Sequence, residues 1–255
     1  MENKEKMYHI NLTKEDLKGA KYAILPGDPG RVGSIAKYLH NSKKISQNRE
    51  YTTYLGEIKN EKVLVISTGM GGPSTAICVE ELAMIGITHL IRVGTSGGMQ
   101  LDVNAGDLVV AQAAIRQEGT SKEYLPIEFP AVADIDIINA LRDAANELKL
   151  TCHTGVVQCK DSFYGQHSPE RMPVSYELLN KWGAWIKGGA LCSEMETSAL
   201  YTVSSTLRLH AGAILLVVWN QEREQKGLPQ EQCFDTDRAI KVAIKALEKI
   251  IEKNK

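Results

Sequence analysis

Short aliphatic runs alternate along this chain with stretches whose apolar residues recur every three or four positions. The first pattern predicts buried strands, the second helices with one face inward. Strands are expected over 21–26, 62–67, 88–94, 107–114, 155–160 and 212–219. A helix is expected after Pro73, which is tolerated in a first turn, with Ile77, Val79, Leu82, Ala83 and Ile85 behind it. Residues 135–150 place Ile137, Ile138, Leu141, Ala144, Ala145 and Leu148 at helical spacing. Helices are also expected over 193–209 and 238–251. Such alternation predicts an α/β fold of three layers around a mostly parallel or mixed sheet. No linker, repeat or low-complexity tract interrupts it, so a single domain over 1–255 is expected.

Charge narrows the partners. Lys and Arg number 30 and Asp and Glu 31, a net charge of −1. No broad basic field recruits nucleic acid or a membrane surface, so any anion site is local. No apolar run approaches the roughly 20 residues of a membrane span. Met1 to Lys6 are mostly charged and lack the apolar stretch of an export signal. Cys78, Cys152, Cys159, Cys192 and Cys233 are scattered and never in C-x-x-C spacing. That fits reduced thiols in a cytoplasm better than a disulfide frame or a zinc site.

Arg92 interrupts the hydrophobic pattern. It ends the run Thr88-His89-Leu90-Ile91-Arg92-Val93, before an expected loop, Gly94-Thr95-Ser96-Gly97-Gly98. A cation in a buried strand is costly unless an anion or a set of dipoles meets it. A guanidinium, open backbone N–H groups and hydroxyls together suit an oxyanion such as phosphate. The alternative is an internal carboxylate paired with Arg92, and both readings stay open at this point.

Other segments also have a plain reading beside a chemical one. In Leu25-Pro26-Gly27-Asp28-Pro29-Gly30-Arg31 the glycines permit close backbone approach and Arg31 adds donors, yet alone it is an ordinary turn without a Walker ending. Ser67-Thr68-Gly69-Met70-Gly71-Gly72-Pro73-Ser74 lacks the third glycine of a dinucleotide fingerprint, which argues against NAD and leaves a glycine-lined wall. Asn48-Arg49-Glu50-Tyr51 reads as a solvated, ion-paired strip before a strand. Glu194 and Glu196 stand at a helix start, where a carboxylate serves the helix dipole or accepts from sugar hydroxyls. Asp161-Ser162-Phe163-Tyr164-Gly165-Gln166-His167 reads as a loop that either caps the core or holds a flat base. Its Gln166 amide donates and accepts in one plane, as a lactam edge such as uracil's requires.

Together these segments resemble the hexameric nucleoside phosphorylase family, its uridine-cleaving branch in particular. PGDPGR, NREYTT, STGMGGPS, EELAMIGI, IRVGTSGG, EFPAVAD, DSFYGQ and SEMETSAL follow the family's order between about His9 and about Asn220. The resemblance implies a three-layer αβα sandwich with a central mixed sheet, and reversible phosphorolysis of uridine to uracil and ribose 1-phosphate. It implies phosphate held by Gly27, Arg31, Arg92 and Thr95, with Arg49 arriving from a neighbouring subunit. Ribose would be held by His9, also from the neighbour, and by Met195 and Glu196. The base would be held by Ser96, Phe163 and Gln166. Catalysis would fall on Arg92, Gln166 and Glu196. No metal or organic cofactor is implied, inorganic phosphate being a co-substrate. Glu50, the Met70 carbonyl and Ser74 match a K+ site between subunits of some members. The implied assembly is a homo-hexamer, a trimer of dimers whose active sites are shared across the dimer interface.

Two places bear on the base. Purine-cleaving relatives carry an aspartate that protonates purine N7 where Asn220 stands, and an amide has no such proton to give. Uridine-cleaving relatives carry an arginine two residues after the glutamine. Here the arginine is Arg171, five residues on, expected to loop back to the base, with His167 or water as alternatives. A second family arginine is replaced by Gln221, with Arg223 two residues later. A purine or broad-specificity phosphorylase, a nucleoside hydrolase and a catalytically silent nucleoside-binding protein are the competing readings.

Overall fold

A computed structural model describes residues 6–255; the N-terminal reading, as far as Glu5, lies outside the described residues. The first half runs β1 (Tyr22–Pro26), α1 (Pro29–Ala36), β2 (His40–Asn48), β3 (Tyr51–Ile58), β4 (Glu61–Ile66), α2 (Gly72–Met84) and β5 (His89–Gly98). Next come β6 (Leu108–Arg116), α3 (Thr120–Tyr124), β7 (Ala131–Val132), α4 (Ile135–Glu147), β8 (Cys152–Cys159), α5 (Phe163–His167) and α6 (Ser175–Lys187). The chain ends with β9 (Cys192–Glu194), α7 (Thr197–Thr206), β10 (His210–Asn220), α8 (Gln221–Gln225) and α9 (Asp237–Lys253). Local chemistry sets several starts. Pro73 sits in the first turn of α2. Asp134 caps α4, accepting from the backbone N–H groups of Asp136 at 2.9 Å and Ile137 at 3.2 Å.

The strands join one mixed sheet. β1 lies parallel between β4 and β5, while β3 runs antiparallel to β4 and β2 antiparallel to β3. Beyond β5 the sheet closes on itself. β10 pairs with β5 in parallel and with β6 antiparallel. β8 runs parallel to both β6 and β9, and β9 returns antiparallel to β5. β5 therefore belongs both to a ring and to the open arm.

Alternate strand residues feed two cores. Leu25, Leu64, Leu90 and Leu215 pack on one face with Leu82, Leu200 and Tyr201 of α2 and α7. Ile24, Val65, Ile91 and Ile214 pack on the other with Ile35, Leu141 and Leu247 of α1, α4 and α9. Helices on both faces give the three expected layers, and burial of both faces is why these strands read as continuous apolar runs.

Four expectations are corrected. The glycine and hydroxyl segment after Val93 is strand rather than loop, because β10 pairs along it, Leu216 opposite Thr95 and Val217 opposite Ser96. Glycine lacks the side chain that signals a strand but keeps the N–H and C=O that a ladder uses. The helix expected from residue 193 starts at Thr197, because Cys192–Glu194 insert as β9 between β5 and β8. Asn48 to Tyr51 span the turn of the β2–β3 hairpin, with Arg49 at φ 50° lying over the Tyr8 ring, its centroid 5.8 Å away. The 161–167 segment holds α5, started by Ser162 Oγ accepting from the Gly165 N–H at 2.9 Å.

Candidate active site

At the carboxyl ends of β1, β5, β8 and β10 the ring opens into a cavity of about 400 Å³, the position where open α/β sheets receive ligands. Gly27, Arg31, Arg92 and Thr95 line it, as do Ser96, Phe163, Gln166, Met195 and Glu196. These nine sequence candidates come from segments up to 169 positions apart in number, Gly27 to Glu196, and the topology brings them together.

Arg92 is 3% exposed, opposite Leu25 of β1 and Ala213 of β10. Its Nε donates to Glu194 Oε2 at 3.2 Å and its Nη2 to Glu196 Oε2. Its Nη1 is buried without a partner. The internal-carboxylate reading therefore holds for two of its nitrogens, and the third is left over. A Cβ at Gly27 would lie 3.8 Å from that Nη1. At Gly94 a Cβ would stand 2.7 Å from Nη2 and 2.8 Å from Leu215 Cδ2, so the guanidinium folds over a position only glycine can fill. Burial works against the Arg92 charge, and Glu196 and Glu194 outweigh it. Arg31 is half-buried beside it, its pKa lowered by burial, with Asp28 pulling upward.

The carboxylates divide the work. Glu194, at the end of β9, also accepts from the N–H groups of Glu196 at 2.9 Å and Thr197 at 3.0 Å, so it fixes Arg92 to the start of α7. Glu196 accepts from the Gly71 N–H at 2.6 Å. Burial raises the Glu196 pKa, Arg92 opposes the rise and Glu194 adds to it. A carboxyl so placed accepts readily from a hydroxyl donor.

Across the cavity stands Lys160, which the sequence reading treats only as the end of a strand. It is 6% exposed, and its Nζ donates to Ser193 Oγ at 2.6 Å. Burial lowers its pKa, while Glu194 pulls the other way. Ser193 Oγ also lies 2.6 Å from Gln166 Oε1, so cation, hydroxyl and amide form one network at the base end. The signal that could have found it is a cation at the very end of an expected strand, a fainter one than Arg92 inside its apolar run. Three cations, Arg31, Arg92 and Lys160, and three carboxylates, Asp28, Glu194 and Glu196, thus line the cavity together, with Arg92 Nη1 left without a partner.

Other candidates lie elsewhere. His9 and Arg49 do not line the cavity. His9 Nδ1 pairs with Glu81 Oε1 at 2.6 Å, and Asn48 Nδ2 donates to the His9 carbonyl at 2.7 Å, so His9 and the Arg49 turn share one surface. Ser74 Oγ donates to the Met70 carbonyl at 3.0 Å, and Glu50 packs against Gly69 next to them. Arg171 does not loop back: it is exposed in a short 3₁₀ turn, its guanidinium 6.0 Å from the Tyr164 ring. Ser168 and Pro169 turn the chain outward before an arginine can reach the cavity. Asn220 is fully buried, its Nδ2 donating to the carbonyls of Gln100 at 2.8 Å and Val103 at 2.7 Å, so its amide is committed to the fold. Arg223 donates to the Leu101 and Pro229 carbonyls, away from the cavity, whereas Gln221 lines it.

A cavity of buried cations and carboxylates at the strand ends of an α/β sheet is the kind of site an enzyme uses. Residues 21–252 match the family model of the phosphorylase superfamily, and the chain belongs to that family. Among curated relatives it is similar to the uridine phosphorylase of Treponema pallidum, 52% identical over 96% of this chain and 94% of that protein. It is 38% identical to the uridine phosphorylase of Escherichia coli over 98% of this chain and all of that protein. A guanosine phosphorylase of Halorubrum lacusprofundi is 35% identical over 95% of this chain.

Proposed function

We propose that this chain catalyses the reversible phosphorolysis of uridine to uracil and ribose 1-phosphate. The observation that carries the reading is the unpartnered, buried Nη1 of Arg92, set between Gly27 and two carboxylates. A water-activating hydrolase has no use for that third donor, whereas a phosphate dianion does. Gly27, Arg31, Arg92 and Thr95 hold the phosphate; Met195 and Glu196 hold the ribose, the carboxylate accepting from its hydroxyls. Phe163 and Ser96 flank the base and Gln166 reads its lactam edge.

A phosphate oxygen attacks C1′ as the C1′–N1 bond breaks. Its electron pair leaves on uracil, so the ribose turns positive and the base negative. The phosphate offsets the first charge, and the Lys160 and Gln166 network offsets the second. Each charge-assisted hydrogen bond contributes about 1.5–3 kcal/mol, and three or four that tighten together approach the roughly 8 kcal/mol of a modest enzyme acceleration. Positioning of phosphate against C1′ adds to this. Organic cofactors have no part in these steps. Asn220, turned into the fold and without an acid proton, favours a pyrimidine over a purine leaving group.

His9 and Arg49 act in the cavity of a second copy, since both sit on one surface outside their own. This supports a dimer with shared sites and, with the family resemblance, a hexamer of such dimers working in pyrimidine salvage in the cytoplasm. The test is uracil release from uridine with and without phosphate, beside thymidine, inosine and adenosine. Uracil release that needs phosphate is expected. Phosphate-independent release, preference for inosine or adenosine, or binding without release would overturn the reading.

A further inference from the structure

Glu81 of α2 is 8% exposed, and among the described residues no lysine or arginine pairs with it. Its donors come instead from one short turn. Oε2 accepts from the Ile10 N–H at 2.8 Å, both oxygens lie 3.0 Å from the His9 backbone nitrogen, and Oε1 lies 2.6 Å from His9 Nδ1. Ser46 Oγ donates to the Ile10 carbonyl at 3.1 Å, and the buried side chains of Ile10 and Leu12 anchor the turn in the core. The Tyr8 ring meets the His9 ring edge-on, with centroids 4.8 Å apart. Backbone and ring of His9 are therefore both held.

An ionised carboxylate only accepts, so the ring nitrogen that faces Glu81 carries a proton. A neutral imidazole has one N–H, which leaves Nε2 with a bare lone pair. Nε2 has no hydrogen-bond partner among the described residues, and the His9 side chain keeps 31% of its surface exposed. We propose that Glu81 is the positioning residue of His9: it presents Nε2 as an acceptor for the 5′-hydroxyl of the ribose in a second copy's cavity. The inference rests on the uridine reading and on the second copy which that reading uses. There C1′ lies between phosphate and base, and Glu196 accepts from the ring hydroxyls. The 5′-hydroxyl stands across the sugar from C1′, so it is the one left for a residue that arrives from outside.

Glu81→Gln keeps the shape of the side chain and reverses the ring. The Ile10 N–H can only donate, so the amide oxygen faces it and the amide nitrogen faces Nδ1. The His9 proton then moves to Nε2, which no longer accepts.

The experiment compares kcat/KM for uridine and 5′-deoxyuridine in the full-length protein, in Glu81→Gln, in His9→Ala and in the double variant. Glu81→Gln should lose about tenfold on uridine and less than about twofold on 5′-deoxyuridine, which lacks the hydroxyl. His9→Ala should show the same split, and adding Glu81→Gln to it should cost nothing further. Equal losses on both substrates, no loss on uridine, or losses that add in the double variant overturn the proposal. Nitrogen NMR of histidine-labelled protein reads the ring directly, with His9 assigned by the signal missing in His9→Ala. A proton on Nδ1 alone in the native protein supports the proposal, and a proton on Nε2 overturns it. That spectrum decides the matter if Glu81→Gln fails to fold. It also separates the two readings: if the native protein does not cleave uridine, the uridine reading fails, while the spectrum still tests what Glu81 does to His9.

Discussion

Nε and Nη2 of Arg92 hold Glu194 and Glu196, and Nη1 is left for a ligand, so a substitution there acts on both fold and chemistry. Arg92→Ala would strand two buried carboxylates at a cost of about 3–5 kcal/mol, which confounds any loss of activity. Arg92→Lys keeps a charge but loses the fork. It should fold and lower kcat/KM for uridine phosphorolysis about 100-fold, with phosphate KM raised. Steady-state kinetics beside a melting curve check this, and undiminished turnover would remove Arg92 from the phosphate site. Lys160→Met should lower kcat by about 100-fold while phosphate KM holds, because Lys160 faces the base end. A matching rise in phosphate KM would move Lys160 to the other side of the reaction.

Elements that bury both faces were legible because their interiors are apolar, as in 22–26 and 63–66. Elements decided by distant partners were not. β2 is mostly exposed and polar, β9 has three residues, and α6 buries none. Within the site, Arg92 stood out as a cation in an apolar run, whereas Lys160 follows the polar Gln158 and gives less contrast. The displacement of Arg171 depends on the turn at Ser168 and Pro169, a tertiary result rather than a local pattern. Asp134 shows what one cap does for an element: it starts α4 and also meets His210 Nδ1 at 2.7 Å. Asp134→Ala should destabilise the protein by about 1–2 kcal/mol. At this size that is a melting-point drop of roughly 2–8 °C, measured by thermal denaturation. Uridine turnover should not change, since α4 packs on the face away from α7.

The end of the molecule opposite the active site carries its own pH response. The His89 ring stacks on His210 at 4.6 Å, beside Tyr22, with Thr88 and Asn254 at its nitrogens and Lys21 and Asp134 nearby. Burial, helped by His210, lowers its pKa from 6.5 to about 4. The unfolded chain therefore takes up a proton that the folded one refuses, and stability complete above pH 6.5 declines as pH falls toward 4. Melting temperatures at pH 7 and pH 5 should show the drop, and His89→Gln should shrink it; an unchanged slope in the variant would assign the response to other groups. The active-site end behaves differently toward dissolved salt. The protein as a whole carries −1, while Arg92 and Lys160, both buried, line the cavity beside half-buried Arg31. Mobile ions screen exposed charges beyond about 8–10 Å at ordinary ionic strength but reach buried ones poorly. Phosphate KM should thus stay nearly flat as sodium chloride is raised, while sulfate, which shares the shape of phosphate, competes. A KM that climbs steeply with chloride would place the attraction on the surface instead.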